Sequence, residues 1–135
     1  MKFEVKVQYR DVNDDGKEKV MTTVVFIEDA VTFGDAETKA YEAFDGFREV
    51  AVKAIKLSKI NEVVNTDTEG IFFECGIQFI VTDDKSQKSK QVKNIILVQS
   101  ENSDEASKVL KAHLSDMMVD YEIVRLVFSQ ISEIA

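Results

Sequence analysis

The chain of 135 residues contains one cysteine, Cys75, and one histidine, His113, so any thiol–imidazole catalysis would have to use that pair. Cys75 shares a strand face with Phe73, Ile77 and Phe79, the setting in which cysteine acts as a small apolar filler. His113 falls in an apolar helical stripe beside Leu110 and Leu114, which predicts a partly buried, hydrogen-bonded imidazole and not a base. One thiol and one imidazole fall short of the three or four ligands that a zinc site takes. Asp11, Asn13 and Asp15, followed by Gly16, match the first half of a calcium loop, with oxygen ligands at every second residue and glycine at the sharp turn. The twelfth position is Thr22 instead of a bidentate glutamate and the flanks are strand-like, so an acidic hairpin turn accounts for the same residues.

Two carboxylate pairs, Glu4 with Glu74 and Glu62 with Glu133, hold corresponding places in the two halves of the chain. Paired carboxylates do acid–base work when one of them is desolvated. Glu4 and Glu74, however, alternate with apolar neighbours and fall on the polar side of their strands. No phosphate-cradling glycine loop or nucleophile-elbow serine occurs, and proline is absent. The residues therefore predict a protein that is not an enzyme, with no catalytic residues and no cofactor.

Binding chemistry has more to draw on. Lys85, Lys88, Lys90 and Lys93 surround one hairpin, and Lys53 and Lys56 line a strand. Beside Tyr9, Phe72 or Tyr121 they would form a cationic groove with stacking platforms for single-stranded nucleic acid. The same lysines would equally solubilise a hairpin and blunt an edge strand. Arg125 is the only charged residue amid Ile123, Val124, Leu126 and Val127. With Tyr121 it is a candidate anion clamp for a small molecule at a subunit interface, against a cross-strand salt bridge to Glu122.

The elements that must position these groups occur twice. Phe3-Glu4-Val5-Lys6-Val7-Gln8-Tyr9 is echoed by Phe73-Glu74-Cys75-Gly76-Ile77-Gln78-Phe79, and an offset of 70 carries Ala36 onto Ala106 and Phe44 onto Leu114. Period-two alternation from Phe3 to Arg10 predicts a strand, and the β-branched run from Val20 to Ile27 returns antiparallel to it. Thr32 or Asp35 caps a helix whose stripe is Ala36, Ala40, Ala43, Phe44 and Phe47, ending near Arg48 before a strand from Val50 to Leu57. The second half repeats the plan, with strands from Ile71 and Val92, a helix begun by Ser103-Asp104-Glu105 and a last strand from Tyr121 to Ser129.

The expectation is one α+β domain over 1–135: repeat one 1–64, a connector 65–70 and repeat two 71–135. Each repeat is β-β-α-β, the two related by pseudo-twofold symmetry in a six-stranded, mostly antiparallel curved sheet with two helices on one face. Several strands are apolar on both sides, Phe72 and Ile80 opposing Phe73 and Phe79, which predicts a covered second face and a homo-oligomer.

The net charge of −8 argues against long-range attraction to nucleic acid or anionic lipid. No apolar run approaches the ~20 residues of a membrane span, and with one cysteine and no signal-like opening the chain reads as cytoplasmic.

The opening strand with its basic–acidic turn, Ile96-Leu97-Val98-Gln99 before the second helix, and Asp120-Tyr121-Glu122-Ile123 after it resemble a family of small uncharacterised proteins from Bacteroidota and the phages that infect them. Members often carry a cysteine in the first strand; here Val5 stands there, while Cys75 keeps the place in the second half. The resemblance implies a phage-associated accessory protein and brings no catalytic residues. By order of elements alone the chain is also similar to small α+β proteins that trimerise around a ligand cleft. The expected function is non-catalytic binding of a protein partner through a sheet face or loops, with single-stranded nucleic acid and an interfacial small molecule as alternatives.

Overall fold

Alternation of apolar and polar side chains and two capped amphipathic segments produce eight strands and two helices among the described residues. In chain order these are β1 (Phe3–Val12), β2 (Glu18–Ile27), α1 (Phe33–Ala43), β3 (Arg48–Leu57), β4 (Glu62–Val64), β5 (Ile71–Thr82), β6 (Ser89–Ser100), α2 (Ser103–Leu114), β7 (Asp120–Phe128) and β8 (Ile131–Ile134). The computed structural model describes residues 1–64, 69–82, 85 and 88–135. Most of the expected connector (65–68) and part of the β5–β6 turn (83, 84, 86 and 87) lie outside the described residues.

The chain divides into two compact units, Met1–Lys59 with Gln130–Ala135, and Ile60–Ser129. The first holds a four-stranded sheet of order β3-β1-β2-β8, and the second one of order β4-β6-β5-β7. This corrects the single six-stranded sheet of two self-contained repeats. Each half of the chain runs β-β-α-β-β, and its last, short strand joins the sheet of the other half. β8 lies parallel to β2, and β4 parallel to β6, whereas all other pairings are antiparallel. A strand of three or four residues contributes little core, but it pairs backbone groups that the edges of β2 and β6 would otherwise leave open.

In the first unit Phe3, Val5 and Val7 of β1 turn inward with Val25 and Ile27 of β2, and Ala36, Ala40 and Phe44 of the helical segment cover them. Fully buried side chains of this size each stabilise the fold by about 1.5–3 kcal/mol. The Thr32 hydroxyl accepts from the Asp35 N–H at 3.1 Å and caps α1. The helix ends at Ala43, short of the expected Arg48, and Gly46, at φ 88°, lets the chain turn into β3. Phe47 is half-exposed but packs edge-on against both Tyr9 and Phe44, with ring centroids 5.0 and 4.9 Å away.

The second unit buries Phe73, Cys75, Ile77 and Phe79 of β5 against Ile96 and Val98 of β6 and Ala106, Leu110 and Leu114 of α2. Asn102, one residue before the expected start, caps α2 by accepting from the Glu105 N–H at 2.9 Å. Both central strands meet their outer neighbour through a bulge. The register slips at Lys6/Val7 opposite Lys53, and at Gly76/Ile77 opposite Val124. A bulge re-aims the side chains after it, so Val52 and Ile55 can both face the first core although they are three apart.

The sheet faces without a helix are also apolar in part: Phe26 in the first unit, and Phe72 and Leu97 in the second, are buried there. Ile80, Val124 and Phe128 of the second unit are exposed.

Candidate functional site

Burial and hydrogen bonding set what each sequence-predicted residue can do. Cys75 is wholly buried, and burial, with the neighbouring Glu74 carboxylate adding to it, pushes its thiol up to about 11. A thiol in that state is not a nucleophile near neutral pH. His113 turns toward β4, where its Nε2 lies 2.9 Å from Glu62 Oε1. The two atoms are close, yet Nε2 has no aligned hydrogen-bond partner, so the contact is an electrostatic one that holds when the imidazole is protonated. It ties α2 to the short β4.

The members of each carboxylate pair belong to different units. Glu62 belongs to the second unit and Glu133 to the first, as Glu74 and Glu4 do respectively. Glu4 Oε2 accepts from the Ser58 hydroxyl at 2.8 Å, and Glu74 Oε1 from the Ser129 hydroxyl at 3.2 Å. Each of these glutamates is thus half-buried and hydrogen-bonded at the end of its own sheet, instead of solvated as its place on the polar side predicts.

In the candidate calcium loop, Asn13 Oδ1 accepts from the N–H groups of Asp15 (3.1 Å) and Lys17 (2.9 Å), and Asp11 Oδ1 accepts from Val12 N–H at 2.8 Å. Those oxygens close a three-residue hairpin loop with Gly16 at φ 76°. Among the described residues no group of three or more His, Cys, Asp or Glu side chains is placed to hold a metal ion.

The lysines are divided between the units. Lys53 is the bulged residue of the edge strand β3, and Lys56 lies farther along it, opposite Glu4. Lys85 and Lys88 belong to the β5–β6 turn, and Lys90 and Lys93 to β6, three apart and so on opposite faces. Arg125 stands opposite Gly76 on β5, where a Cβ would come within 3.2 Å of the arginine's own Cβ, so glycine makes room for it. Arg125 is exposed and pairs with no carboxylate among the described residues, Glu122 included. Tyr121 packs on the core face, and Arg125 lies on the other.

Two features escape sequence reasoning. A cleft of about 330 Å³ at one end of the first unit is lined by Tyr9, Arg10, Asp11, Val12, Gly46, Phe47 and Arg48. Its guanidinium groups are already engaged: Arg10 with Glu18 (3.2 Å) and Glu49 (2.5 Å), and Arg48 with Glu18 (3.1 Å). Glu49 takes part from a left-handed backbone, φ 50°. The signal for this network was the register that sets Arg10 opposite Arg48, both flanked by acids.

The corresponding end of the second unit is apolar and open. Val81, Val92, Met117 and Val119 are each 40–45% exposed, and Met118 is completely exposed. Val81 and Val92 lie on the helix-bearing face of their sheet, because they share it with Phe79. Val81 stands where the first unit has Asp11, and Asp120, opposite Ile80, stands where it has Arg48, opposite Arg10. The signal was the apolar run Met117-Met118-Val119 directly after a helix.

No helix among the described residues is long and apolar enough to cross a membrane. No curated protein and no solved structure matches the chain significantly. The family model described as "Domain of unknown function (DUF4494)" matches it over residues 1–135, so the chain is a member of that family.

Proposed function

We propose that this protein is a non-catalytic binding module that docks a protein partner on the apolar end of its second unit. The observation that carries this reading is the set of exposed apolar residues Val81, Val92, Met117, Met118 and Val119 at the end of β5 and β6 and in the segment between α2 and β7. Exposed apolar side chains in one place mark interaction sites more often than scattered ones. Methionine adapts to the shape of what it meets, which suits a docking surface. An accessory role is what the resemblance to phage-associated proteins implies.

The test is site-specific photo-cross-linking in extract of the source cells, with the reactive group at position 118 or, as control, at Glu37 on the exposed side of α1. A defined protein captured from position 118 alone, and lost on Val119→Asp, supports the reading. Capture of a second copy of the chain makes the partner a homo-oligomer. Equal labelling from both positions overturns it.

A further inference from the structure

We infer that the open half of the β6 edge, Ser89–Lys93, takes an extended acidic segment of a partner protein as an additional strand running in line with β4. The inference rests on the partner-binding reading above and specifies how the partner is held.

The edge is half used by the chain itself. β4 pairs in parallel with β6 only from Ile96 to Val98. Asn61 extends the contact by one residue, donating its N–H to the Ile95 carbonyl and accepting the Ile95 N–H on Oδ1, both at 2.8 Å. The backbone groups of Ile95 therefore point toward β4 and away from β5. Strand geometry repeats every second residue, so the N–H and C=O of Lys93, Gln91 and Ser89 point the same way. On that side of β6 the described residues form no further strand, and residues 89–93 are exposed. This is an unpaired row of donors and acceptors continuous with an existing strand pairing, the arrangement that strand addition uses.

Side chains specify the occupant. Lys90 and Val92 share the helix-bearing face, and Lys93 lies on the other. Neither lysine is paired with a carboxylate among the described residues. Cross-strand neighbours share a face and opposite charges stabilise the pair. A strand parallel to β6 thus suits an acidic residue beside Lys90, an apolar one beside Val92 and an acidic one beside Lys93. The lysines that repel another copy of the same edge admit an acidic strand.

The experiment follows backbone amide signals of the isotopically labelled full chain during titration with the peptide Thr-Glu-Thr-Val-Glu-Thr, capped at both ends, and with its counterpart carrying lysine for glutamate. The expected result is perturbation and slowed hydrogen exchange centred on Ser89, Gln91 and Lys93. The lysine peptide should bind about tenfold more weakly, since two cross-strand charge pairs change sign. Gln91→Pro removes an N–H that makes no bond within the sheet, so β5 amides stay in place while peptide binding is lost. Lys90→Glu combined with Lys93→Glu provides a second variant, expected to prefer the lysine peptide.

Four outcomes of the titrations would overturn the inference: no perturbation by either peptide, binding that survives Gln91→Pro, protection of these amides that depends on protein concentration alone, or perturbation by single-stranded oligonucleotides but not by the peptide. Cross-linking from position 118 that persists in Gln91→Pro would reject the edge and leave the docking module standing. Loss of that cross-linking in Val119→Asp with peptide binding intact would separate the two surfaces.

Discussion

Ser129 donates its hydroxyl hydrogen to Glu74 across 3.2 Å, and its own N–H to the Phe72 carbonyl at 2.8 Å, fastening the end of β7 to the start of β5. Ser58 holds Glu4 and the Lys2 carbonyl in the same manner, at 2.8 and 2.9 Å. Each serine stands one or two residues before the chain leaves its unit for the other sheet. Ser129→Ala should lower the stability measured by urea unfolding by about 1–2 kcal/mol, because a half-buried carboxylate loses a charge-assisted bond. Ser58→Ala should do the same. Glu74→Gln, which keeps an acceptor, should lose less.

The contact of His113 with Glu62 should matter locally. β4 has three residues and is held by the sheet on one side only. Glu62→Ala is expected to accelerate hydrogen exchange of the Ile95 and Leu97 amides several-fold while leaving β5 protected, since local opening follows local contacts. Equal acceleration across the whole sheet would mean that Glu62 acts through global stability.

The Cys75 thiol should make the fold sensitive to alkali. Its pKa is raised from 9.0 to about 11 in the folded chain, so folding favours the neutral thiol. The stabilisation that this represents is fully present below pH 9 and is lost as pH rises from 9 through about 11. Unfolding curves should show a drop on the order of 2 kcal/mol across that window, absent in Cys75→Ala. At neutral pH a thiol reagent should label Cys75 only after denaturant is added.

Replacing the exposed end of the second unit should cost no stability. Met118→Lys and Val119→Asp are expected to leave the melting temperature within the effect of about 0.5 kcal/mol that surface substitutions show. Val119→Asp should also abolish partner capture from position 118. Leu110→Ala, four residues from the end of α2 and wholly buried, should by contrast cost about 2–5 kcal/mol.

Fluorescence anisotropy with labelled single-stranded and duplex nucleic acids should stay flat near physiological salt. Lys53 and Lys56 sit at the outer edge of one sheet, and Lys90 and Lys93 on opposite faces of a strand in the other. On a chain of charge −8 neither pair by itself gives a continuous cationic track along a phosphate backbone. Tight binding with a steep salt dependence would restore the nucleic-acid alternative.

Much of the local structure was legible in the residues. Period-two alternation located β1 and β5, the stripes Ala36–Ala40–Phe44 and Ala106–Leu110–Leu114 located the buried helix faces, and Asn13-Asp14-Asp15-Gly16 located the first turn. These signals are local, because the side-chain period and the turn chemistry reside in the segment itself. Cys75 could likewise be read as a core residue from its neighbours.

The tertiary structure alone decided where Glu62-Val63-Val64 and Ile131-Ser132-Glu133-Ile134 go. A short strand with no strong pattern carries no address; its partner is whichever edge presents unpaired backbone groups, and that edge exists only after β2 and β6 have formed. The chain likewise forms two sheets with one helix each, in place of one sheet with two. The same holds for the candidate surfaces. Residue types mark Val81, Met118 and Val119 as apolar, but only the folded chain shows that no neighbour covers them, because burial is a property of what packs around a residue and not of the residue itself.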